Sequence, residues 1–218
     1  MKKILIIAGP SAVGKTTVAH ELIKRGNIPF ELVRSATTRS PRGDSYDEEY
    51  IYLSRDEFLS LIERGGVLEH TEYAGELYGT PLSEIERITE SGKFPLLILD
   101  LAGVRSICDN PSDVSACALY IYDDISVMDE RLLARYDAGE KKDSDFARLT
   151  TRKAQNRSDY ASIEKYSVHF YAFVENSREI SDTVASVEKC FEDFLSNIPR
   201  DASSAEQVAA SLVKMSSE

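Results

Sequence analysis

The sequence predicts an α/β fold with a mainly parallel sheet. Short apolar runs alternate with longer amphipathic stretches along most of the chain, as they do in consecutive β-α-β units. Three of the runs, residues 4–7, 95–100 and 116–122, are apolar enough to be strands buried on both faces. The 218 residues, 42% of them hydrophobic, suit one domain or one core with inserted subdomains.

The composition narrows the class of protein. The net charge of −11 argues against a general nucleic-acid binder or a protein of acidic membranes, and it also favours solubility. The three cysteines lack C-x-x-C spacing, which indicates reduced thiols in a cytoplasmic protein. The apolar run near Met1 is too short for a signal peptide, and no run approaches the roughly 20 residues of a membrane span. The sequence thus predicts a cytoplasmic protein without nucleic-acid or membrane partners.

The first part of the chain predicts a β-loop-α unit followed by a β-rich insertion. Residues 1–25 form a strand, a turn and a helix that ends at Gly26. The pattern then predicts, in order, a strand at 31–33, a polar loop at 34–43, a strand at 50–53, a helix from the Ser54–Glu57 capping box to Gly65, a strand at 67–73, a turn at 74–79 and a helix from Pro81 to Gly92. Because residues 34–80 differ from the rest of the pattern, they are predicted to be an insertion on the core.

The second part returns to alternating strands and helices. Beyond the two buried strands, the pattern predicts charged helices at 125–137 and 143–160, a strand at 168–174 and a helix at 180–198. The tail, residues 199–218, has one weakly apolar helical face and predicts either a short docked helix or disorder.

The strongest functional signal is the run Gly9-Pro10-Ser11-Ala12-Val13-Gly14-Lys15-Thr16. It lies between a predicted strand and a predicted helix, which is the context that G-x-x-x-x-G-K-[ST] needs to form a phosphate-binding P-loop. Backbone N–H groups of such a loop converge on phosphate oxygens, and the helix dipole helps them. Lys15 can reach the β- and γ-phosphates of a nucleotide, and the Thr16 hydroxyl can ligate Mg²⁺. A glycine turn without a ligand is the alternative, and the complete motif argues against it.

Two arginines in the loop at 34–43 give the second signal. The guanidinium groups of Arg39 and Arg42 suit a further phosphate group, which each can bind through two hydrogen bonds. Taken alone, this loop is better explained by a solvated basic turn, and the presence of the P-loop reverses that preference. A P-loop combined with a separate monophosphate site predicts a phosphotransferase. Asp100, at the end of a buried strand near the P-loop, is a candidate to hold Mg²⁺ through water, and a strand-end turn residue is the alternative.

Four segments resemble the guanylate kinase family in order and spacing: the P-loop, Ser35-Ala36-Thr37-Thr38-Arg39-Ser40-Pro41-Arg42, Leu68-Glu69-His70 followed by Leu77-Tyr78-Gly79-Thr80, and Ile98-Leu99-Asp100. The resemblance covers about residues 4–198. It implies phosphorylation of GMP by ATP with Mg²⁺. It also implies a P-loop NTPase-type core (1–33, 81–124 and 151–198), an inserted GMP-binding subdomain (34–80), a helical lid (125–150) and a separate tail (199–218).

The resemblance also implies roles for individual residues. GMP would be held by Ser35, Arg39, Arg42, Tyr50, Glu69, Tyr78, Thr80 and Asp100. ATP would be held by Gly9, Pro10, Ser11, Ala12, Val13, Gly14, Lys15, Thr16, Thr17, Arg131, Arg135 and Asn176. The catalytic residues would be Lys15, Arg39, Arg135 and Arg148, and the metal ligands Thr16 and Asp100. The assignment of Glu69 agrees with its chemistry, because a carboxylate accepts from the N1 and N2 hydrogens of guanine and adenine has no donor at N1.

The chain departs from the family pattern in three places. Ala12 stands where the family usually has Gly, the second acid two residues after Asp100 is absent, and Gly43-Asp44 replaces a Gly-Glu pair. The absent acid leaves a broader choice of base open, for which Asp44 can partly compensate.

Two alternatives to a guanylate kinase therefore stay open. One is a related kinase with another acceptor, such as dGMP, another nucleoside monophosphate or a phosphorylated sugar. The other is a non-catalytic binding module of the same fold, against which Lys15, Thr16 and Asp100 argue. Both a monomer and a homodimer are compatible with the sequence.

Overall fold

The computed structural model describes the chain except at residues 42, 44–46, 74, 111–112, 139–142, 177–178 and 218. The strands in chain order are β1 (Lys2–Ala8), β2 (Phe30–Leu32), β3 (Ser35–Thr37), β4 (Tyr50–Tyr52), β5 (Val67–Tyr73), β6 (Glu76–Pro81), β7 (Phe94–Leu99), β8 (Val114–Tyr122) and β9 (Ala172–Glu175). The helices are α1 (Lys15–Arg25), α2 (Arg55–Glu63), α3 (Leu82–Glu90), α4 (Leu101–Asp109), α5 (Ile125–Ala138), α6 (Asp143–Ser162), α7 (Ile180–Leu195) and α8 (Ala202–Met215).

The main sheet is parallel throughout and confirms the predicted fold class. Its strand order is β2-β7-β1-β8-β9, so the first strand of the chain lies at the centre. In that position Ile6 pairs with Leu97 on one side and Ala118 on the other. The apolar run Ile4–Ala8 is wholly buried, because helices that pack against the sheet cover it.

A second, smaller sheet is formed by the chain between β2 and α3. Its order is β4-β3-β6-β5, with β3 parallel to β4 and antiparallel to β6. Helix α2 begins at the predicted capping box, in which Ser54 and Glu57 bond reciprocally. This helix buries Phe58 against Ala36 and Leu77. The insertion therefore has a small hydrophobic core of its own.

Four acidic and basic side chains connect the places where the chain enters and leaves the second sheet. Arg34 follows β2 and donates to Glu84 of α3 through both Nε and Nη2, at 3.0 and 2.8 Å. Arg87 donates to the same carboxylate, at 3.1 and 3.0 Å, and to Glu31 at 2.7 Å. The bond from Arg34 is the main reason that the pKa of Glu84 is lowered to about 2, and Arg87 adds to it.

The tail forms a docked helix, the first of its two predicted alternatives. Asp201 caps α8 by accepting from the Ser204 N–H at 3.0 Å. Ala209 and Leu212 of α8 are fully buried and belong to the main hydrophobic core. Just before the helix, Nη1 of Arg200 donates to three backbone carbonyls, those of Ser167, Val168 and Phe170, at 2.8–3.0 Å.

Several predicted elements are wrong or incomplete. The predicted turn at 74–79 is largely strand β6, because Gly79 and Pro81 imitate turn residues in a strand that pairs on both sides. The predicted polar loop at 34–43 contains strand β3. The predicted strand at 168–174 is shorter, since a 3₁₀ helix over Ile163–His169 takes its first residues. Helix α4 was not predicted. Within the described residues, no helix combines the length and the apolarity that crossing a membrane requires.

Candidate active site

The P-loop connects the central strand β1 to helix α1, and two of its residues must be glycine. A side chain at Gly9 would place its Cβ 2.2 Å from the Ile121 carbonyl oxygen of β8. Gly14 has φ +105°, and a Cβ there would lie 2.7 Å from Nδ2 of Asn176. Strand β8 therefore leaves no room for a side chain at the start of the loop, and Asn176 leaves none at its end.

Ala12 has a left-handed backbone conformation, with φ 65°. This conformation costs a residue with a Cβ roughly 1–2 kcal/mol, and it explains why glycine is usual here in the family that the sequence resembles. The methyl group of Ala12 is buried against Leu132 of α5 and Leu149 of α6. This packing offsets part of the strain and joins the P-loop directly to the two helices of the predicted lid.

Lys15 lies inside the loop. Its Nζ donates to the carbonyl oxygens of Gly9 and Pro10, at 2.7 and 2.8 Å. Burial lowers the pKa of Lys15 to about 8, Asp159 opposes this change, and the charges of Arg135 and Arg152 add to it. The ammonium group is thus held among other cations, where the negative charge of a phosphate would stabilise it.

Two more side chains fix the loop from outside. Asn156 of α6 accepts from the Ser11 N–H at 2.7 Å and donates to the Ser11 carbonyl at 3.0 Å. Nδ2 of Asn176 donates to the Val13 carbonyl at 2.7 Å, and its Oδ1 accepts from Thr183 at the same distance. Asn176 is therefore buried under the P-loop, and its predicted contact with ATP stays a prediction.

Arg131 also supports the loop in this structure. Its guanidinium lies 2.9 Å from the buried Asp123 carboxylate and donates to the Ala12 carbonyl at 3.4 Å. The Tyr160 hydroxyl donates to the Asp123 carbonyl and accepts from the Asp123 N–H. Arg131 thus links α5 to Asp123 through an ion pair and to the P-loop through the Ala12 carbonyl.

A cavity of about 670 Å³ lies beside the P-loop and its helix. Five of its residues belong to the predicted site, and the others include an arginine that was not predicted. The lining residues are Thr16, Thr17, His20, Glu21, Lys24, Arg39, Glu49, Tyr50, Arg135 and Arg152. Arg148 is exposed on α6 and is not among the described residues of this lining, so its predicted catalytic role stays a prediction.

A second cavity, of about 240 Å³, brings together most of the predicted acceptor residues. It is lined by Ser35, Tyr50, Glu69, Thr71, Tyr78, Gly79, Ile98, Leu99 and Asp100. Tyr50 lines both cavities, so they adjoin there. Thr80 also lies beside this cavity, since its hydroxyl donates to Oε1 of Glu69 at 2.7 Å. Arg42 lies outside the described residues.

Glu69 is the chemically distinctive group of the smaller cavity. It is buried although no cation bonds to it among the described residues, and its side-chain hydrogen bond comes from the Thr80 hydroxyl. Burial raises the pKa of Glu69, the nearby charge of Asp100 raises it further, and the bond from Thr80 opposes both. A buried carboxylate oxygen without a full set of donors favours a ligand that brings N–H groups.

Arg39 lies at the junction of the two cavities. Its guanidinium stands 5.1 Å from the Tyr50 ring centre and 5.8 Å from that of Tyr52. Nη2 lies 3.7 Å from Asp47 and donates weakly to the Tyr52 hydroxyl, which itself bonds to Asp47. Nη1 donates to the Ser40 carbonyl at 3.0 Å. Two aromatic rings, one carboxylate and this carbonyl therefore position the cation.

Sequence reasoning missed the part of the site that α6 supplies. Asn156 and Tyr160 bind the P-loop and the strand end beside it, and Arg152 lines the larger cavity. Asp159 was also missed, although its charge acts on Lys15. The detectable signal was their spacing, since residues 152, 156 and 159–160 fall on one face of a helix.

Comparisons with known proteins agree with this geometry. The family model described as Guanylate kinase matches residues 1–194, so all of α8 lies beyond the match. A guanylate kinase of Lactobacillus johnsonii is 30% identical over 201 residues, which cover 90% of this chain and 91% of that protein. One from Lactobacillus delbrueckii subsp. bulgaricus is 40% identical over 105 residues, and this match spans about half of each chain, 48% of this one and 52% of that one.

A solved structure agrees at the level of the fold. The crystal structure of guanylate kinase from Anaplasma phagocytophilum has a TM-score of 0.60 and 23% identity, over 88% of this chain and 86% of that one. The two cavities, the P-loop and the family match lead to one conclusion. This chain belongs to the guanylate kinase family of nucleoside-monophosphate kinases.

Proposed function

We propose that this protein transfers the γ-phosphoryl group of ATP to GMP, giving ADP and GDP. The observation that carries the proposal is the meeting of two chemically different cavities at Tyr50. One contains the start of α1 and several cations, and the other contains a buried carboxylate. A donor in the first and an acceptor in the second would meet at their phosphates, as direct transfer requires.

The larger cavity suits the phosphates of ATP. Backbone N–H groups of the P-loop and the positive end of the α1 dipole would bind the β-phosphate. Lys15 and Arg135 would stabilise charge on the γ-phosphoryl group as it transfers. The carbonyl bonds that Lys15 makes in the free protein hold its amino group in place until phosphate oxygens replace them.

The smaller cavity suits guanine. The Glu69 carboxylate would accept from the N1 and N2 hydrogens of the base, and the Thr80 hydroxyl, now bonded to Glu69, would reach O6. Ser35, Tyr50 and Tyr78 line the same cavity and would hold the GMP phosphate with Arg39. An adenine base would leave Glu69 buried opposite an acceptor nitrogen, and such a mismatch is costly.

The residues present also fit a magnesium ion that enters with ATP. Mg²⁺ prefers oxygen ligands and takes few of them from protein, keeping water and phosphate oxygens as the others. Thr16 lies in the first turn of α1 at the larger cavity, and Asp100 is exposed just after β7, where its Oδ1 accepts from the Gly103 N–H at 2.8 Å. When bound, the ion would neutralise charge on the β- and γ-phosphates. Thr16 would hold it directly, and Asp100 would orient its water.

We propose the same division of labour for the parts of the chain. Residues 34–80 would bind GMP, residues 125–150 would cover the phosphates as a lid, and residues 1–33, 81–124 and 151–198 would form the core. Packing of Ala12 against Leu132 and Leu149 supports a close connection between lid and P-loop. We also propose a cytoplasmic location, no nucleic-acid partner, and a monomer or homodimer.

A coupled assay of ADP formation across GMP, dGMP, AMP, UMP and CMP tests the proposal. GMP is expected to be the best acceptor, with no turnover when Mg²⁺ is chelated. Turnover with another monophosphate but not with GMP would establish the alternative acceptor, which the absence of a second acid two residues after Asp100 leaves open. Absence of turnover with every nucleotide, in protein that melts cooperatively, would leave the non-catalytic binding module.

A further inference from the structure

Tyr52, the last residue of β4, has its hydroxyl between a carboxylate and a guanidinium. The hydroxyl donates to Asp47 and accepts from Nη2 of Arg39 at 3.4 Å, and Nη2 itself lies 3.7 Å from the Asp47 carboxylate. The side chains of Arg39 and Asp47 are only 14% and 17% exposed, so water screens little of their charge. Arg39 lines the larger cavity, whereas Tyr52 and Asp47 are not among the described residues that line either one.

The available protons fix the direction of these hydrogen bonds. A guanidinium only donates and a carboxylate only accepts, whereas a hydroxyl donates its proton and accepts with its oxygen. Arg39 therefore donates to Tyr52, and Tyr52 donates to Asp47. Partial burial and the bond to Asp47 raise the pKa of Tyr52, which keeps this proton on the hydroxyl at neutral pH. Asp47 thus orients the hydroxyl, and the hydroxyl orients the guanidinium.

The second sheet sets the positions of the groups around Arg39. Tyr50 and Tyr52 lie on one face of β4, because residues two apart in a strand point to the same side. Parallel pairing places them beside Ser35 and Thr37 of β3. Arg39 comes two residues after β3 ends, and its N–H donates to the Thr37 hydroxyl at 3.2 Å. The strand register therefore brings the tyrosine hydroxyl to the arginine.

The hydroxyl keeps Asp47 from occupying Arg39 as a direct salt bridge would. Glu84 binds Arg34 through two contacts, at 3.0 and 2.8 Å, which occupy one fork of that guanidinium. Asp47 instead stands 3.7 Å from Arg39, and its Oδ2 accepts from the Gly43 N–H at 2.6 Å. Among the described residues, the Arg39 guanidinium donates to one carbonyl and one hydroxyl, fewer acceptors than it has N–H groups. It is thus held in place while keeping donors for a ligand.

We propose that Tyr52 and Asp47 are positioning residues, which orient Arg39 for the phosphate of the acceptor. This inference rests on the proposed function. Two N–H groups of a guanidinium match two phosphate oxygens only when the guanidinium plane is correctly turned. The Tyr52 hydroxyl holds that plane at Nη2, and the rings of Tyr50 and Tyr52 limit its tilt. Tyr52 and Asp47 act only through Arg39, and neither gives up a proton during the transfer.

The test compares Tyr52→Phe, Asp47→Ala and Asp47→Asn. Tyr52→Phe keeps the ring and should lower kcat/KM for GMP about three- to tenfold, because Arg39 keeps its charge but loses one orienting hydrogen bond. KM for ATP should stay within about twofold. Asp47→Ala should cause a similar loss, whereas Asp47→Asn should retain most of the activity, since its amide oxygen still accepts the Tyr52 proton. Because the two groups act in one chain of hydrogen bonds, combining Tyr52→Phe with Asp47→Ala should cost no more than either alone.

Tyr171→Phe is the matched control. Its hydroxyl donates to the Ile198 carbonyl at 2.8 Å, and Tyr171 is not among the described residues that line either cavity. This variant loses a comparable hydrogen bond, and its kcat/KM should stay within about twofold of the parent protein. Two results would overturn the proposal: a Tyr52→Phe variant as active as the parent, or losses in the double variant that multiply as those of independent sites do.

A binding measurement separates this inference from the proposed function. Affinities for GMP and for guanosine, which offers the same base without a phosphate, are measured by calorimetry in the absence of a donor. Tyr52→Phe should weaken GMP binding about three- to tenfold and leave guanosine binding within about twofold, because Arg39 meets only the phosphate. If the parent protein phosphorylates no acceptor, the proposed function fails, whereas this selective loss would still support the positioning of Arg39. Equal GMP affinities, or equal losses for both ligands, would reject it.

Discussion

Arg34 and Glu84 bond through two parallel contacts, at 3.0 and 2.8 Å, across the points where the chain enters and leaves the second sheet. Arg34 precedes β3 and Glu84 lies in the first turn of α3, three residues after β6 ends. The pair therefore joins both connections between the main sheet and the acceptor cavity. Arg87 and Glu31 extend it into a network of four charges.

Glu84→Gln should destabilise the protein by about 1–2 kcal/mol at pH 7. The carboxylate is 5% exposed but its two arginines are 44–46% exposed, so water screens part of the interaction. The folded pKa of about 2 lies below the ordinary 4.5, so this contribution is present above pH 4.5 and disappears as the pH falls towards 2. Urea unfolding at several pH values measures it. A difference between the two proteins that persists unchanged at pH 2 would contradict the linkage.

Lys15→Ala should lower kcat by roughly two or more orders of magnitude. Its ammonium is the cation held nearest to the loop carbonyls of Gly9 and Pro10, where the transferring phosphoryl group would lie. Stability should change little, because removing a charge from among other cations offsets the loss of its two hydrogen bonds. Steady-state kinetics and thermal melting measure both effects. A variant with nearly normal kcat would remove Lys15 from the phosphate site.

Glu69→Gln should reduce kcat/KM for GMP roughly ten- to a hundredfold. The substitution keeps the shape of the side chain and replaces an acceptor oxygen with an NH₂ group, so a buried charged hydrogen bond worth about 1.5–3 kcal/mol is lost. KM for ATP should hardly change, because Glu69 lines only the smaller cavity. Thr80→Val should cause a smaller loss. Preserved selectivity for GMP over AMP in the Glu69 variant would show that another group reads the base.

The pH dependence of kcat/KM for GMP should also reflect the ionisation of the Glu69 carboxyl group. Because burial raises the pKa of Glu69, its carboxylate is lost at a higher pH than an exposed glutamate would lose it. We therefore expect kcat/KM for GMP to fall as the pH decreases through that raised value, while the charged form that binds guanine disappears. The Glu69→Gln variant should lack this acidic limb. An identical limb in both proteins would assign it to a different group.

Leu212→Ala should cost about 2–4 kcal/mol of unfolding free energy, the range for truncating a fully buried leucine. Ser211→Ala is the control, because this neighbouring residue of α8 is exposed. One cooperative transition in chemical denaturation is expected for both. A Leu212 variant as stable as the parent protein would mean that α8 does not fold as part of the core.

The main sheet and the P-loop could be predicted because their signals are local. An apolar run such as Ile4–Ile7 next to Gly9 and Lys15 specifies strand, loop and helix in one short segment. Glu69 and Tyr78 could be assigned only through the family resemblance, since alone they look like ordinary residues of a half-buried strand. The spacing of Arg152 and Asn156 marks one face of α6, but that this face meets the P-loop depends on long-range contacts with Ser11, which the sequence pattern does not reveal.

Helix α4 was missed for a related reason. Its N-cap is Asp100, which accepts from the Gly103 N–H, so one residue serves both as helix cap and as candidate metal ligand. The sequence pattern led to an interpretation of Asp100 as a metal ligand and not as a helix cap. In addition, Gly103 in the first turn lowered the apparent helix propensity. A Cβ at Gly103 would make ordinary van der Waals contacts, 3.4 Å from Asp100 and 3.6 Å from Glu69, so space alone does not require glycine at this position.

The central position of β1 has a consequence for how the protein is made. β1 leaves the ribosome before both of its neighbours, and Ile6 must wait for Leu97 and then Ala118 to be synthesised. Until then the neighbouring strands that bury its apolar run are absent, and exposed apolar segments favour aggregation and chaperone binding. Pairing across so much chain also slows folding, because long loops must close before their contacts form. The segment that carries the phosphate loop is thus among the first to be translated, yet it can reach its native surroundings only after β8 exists.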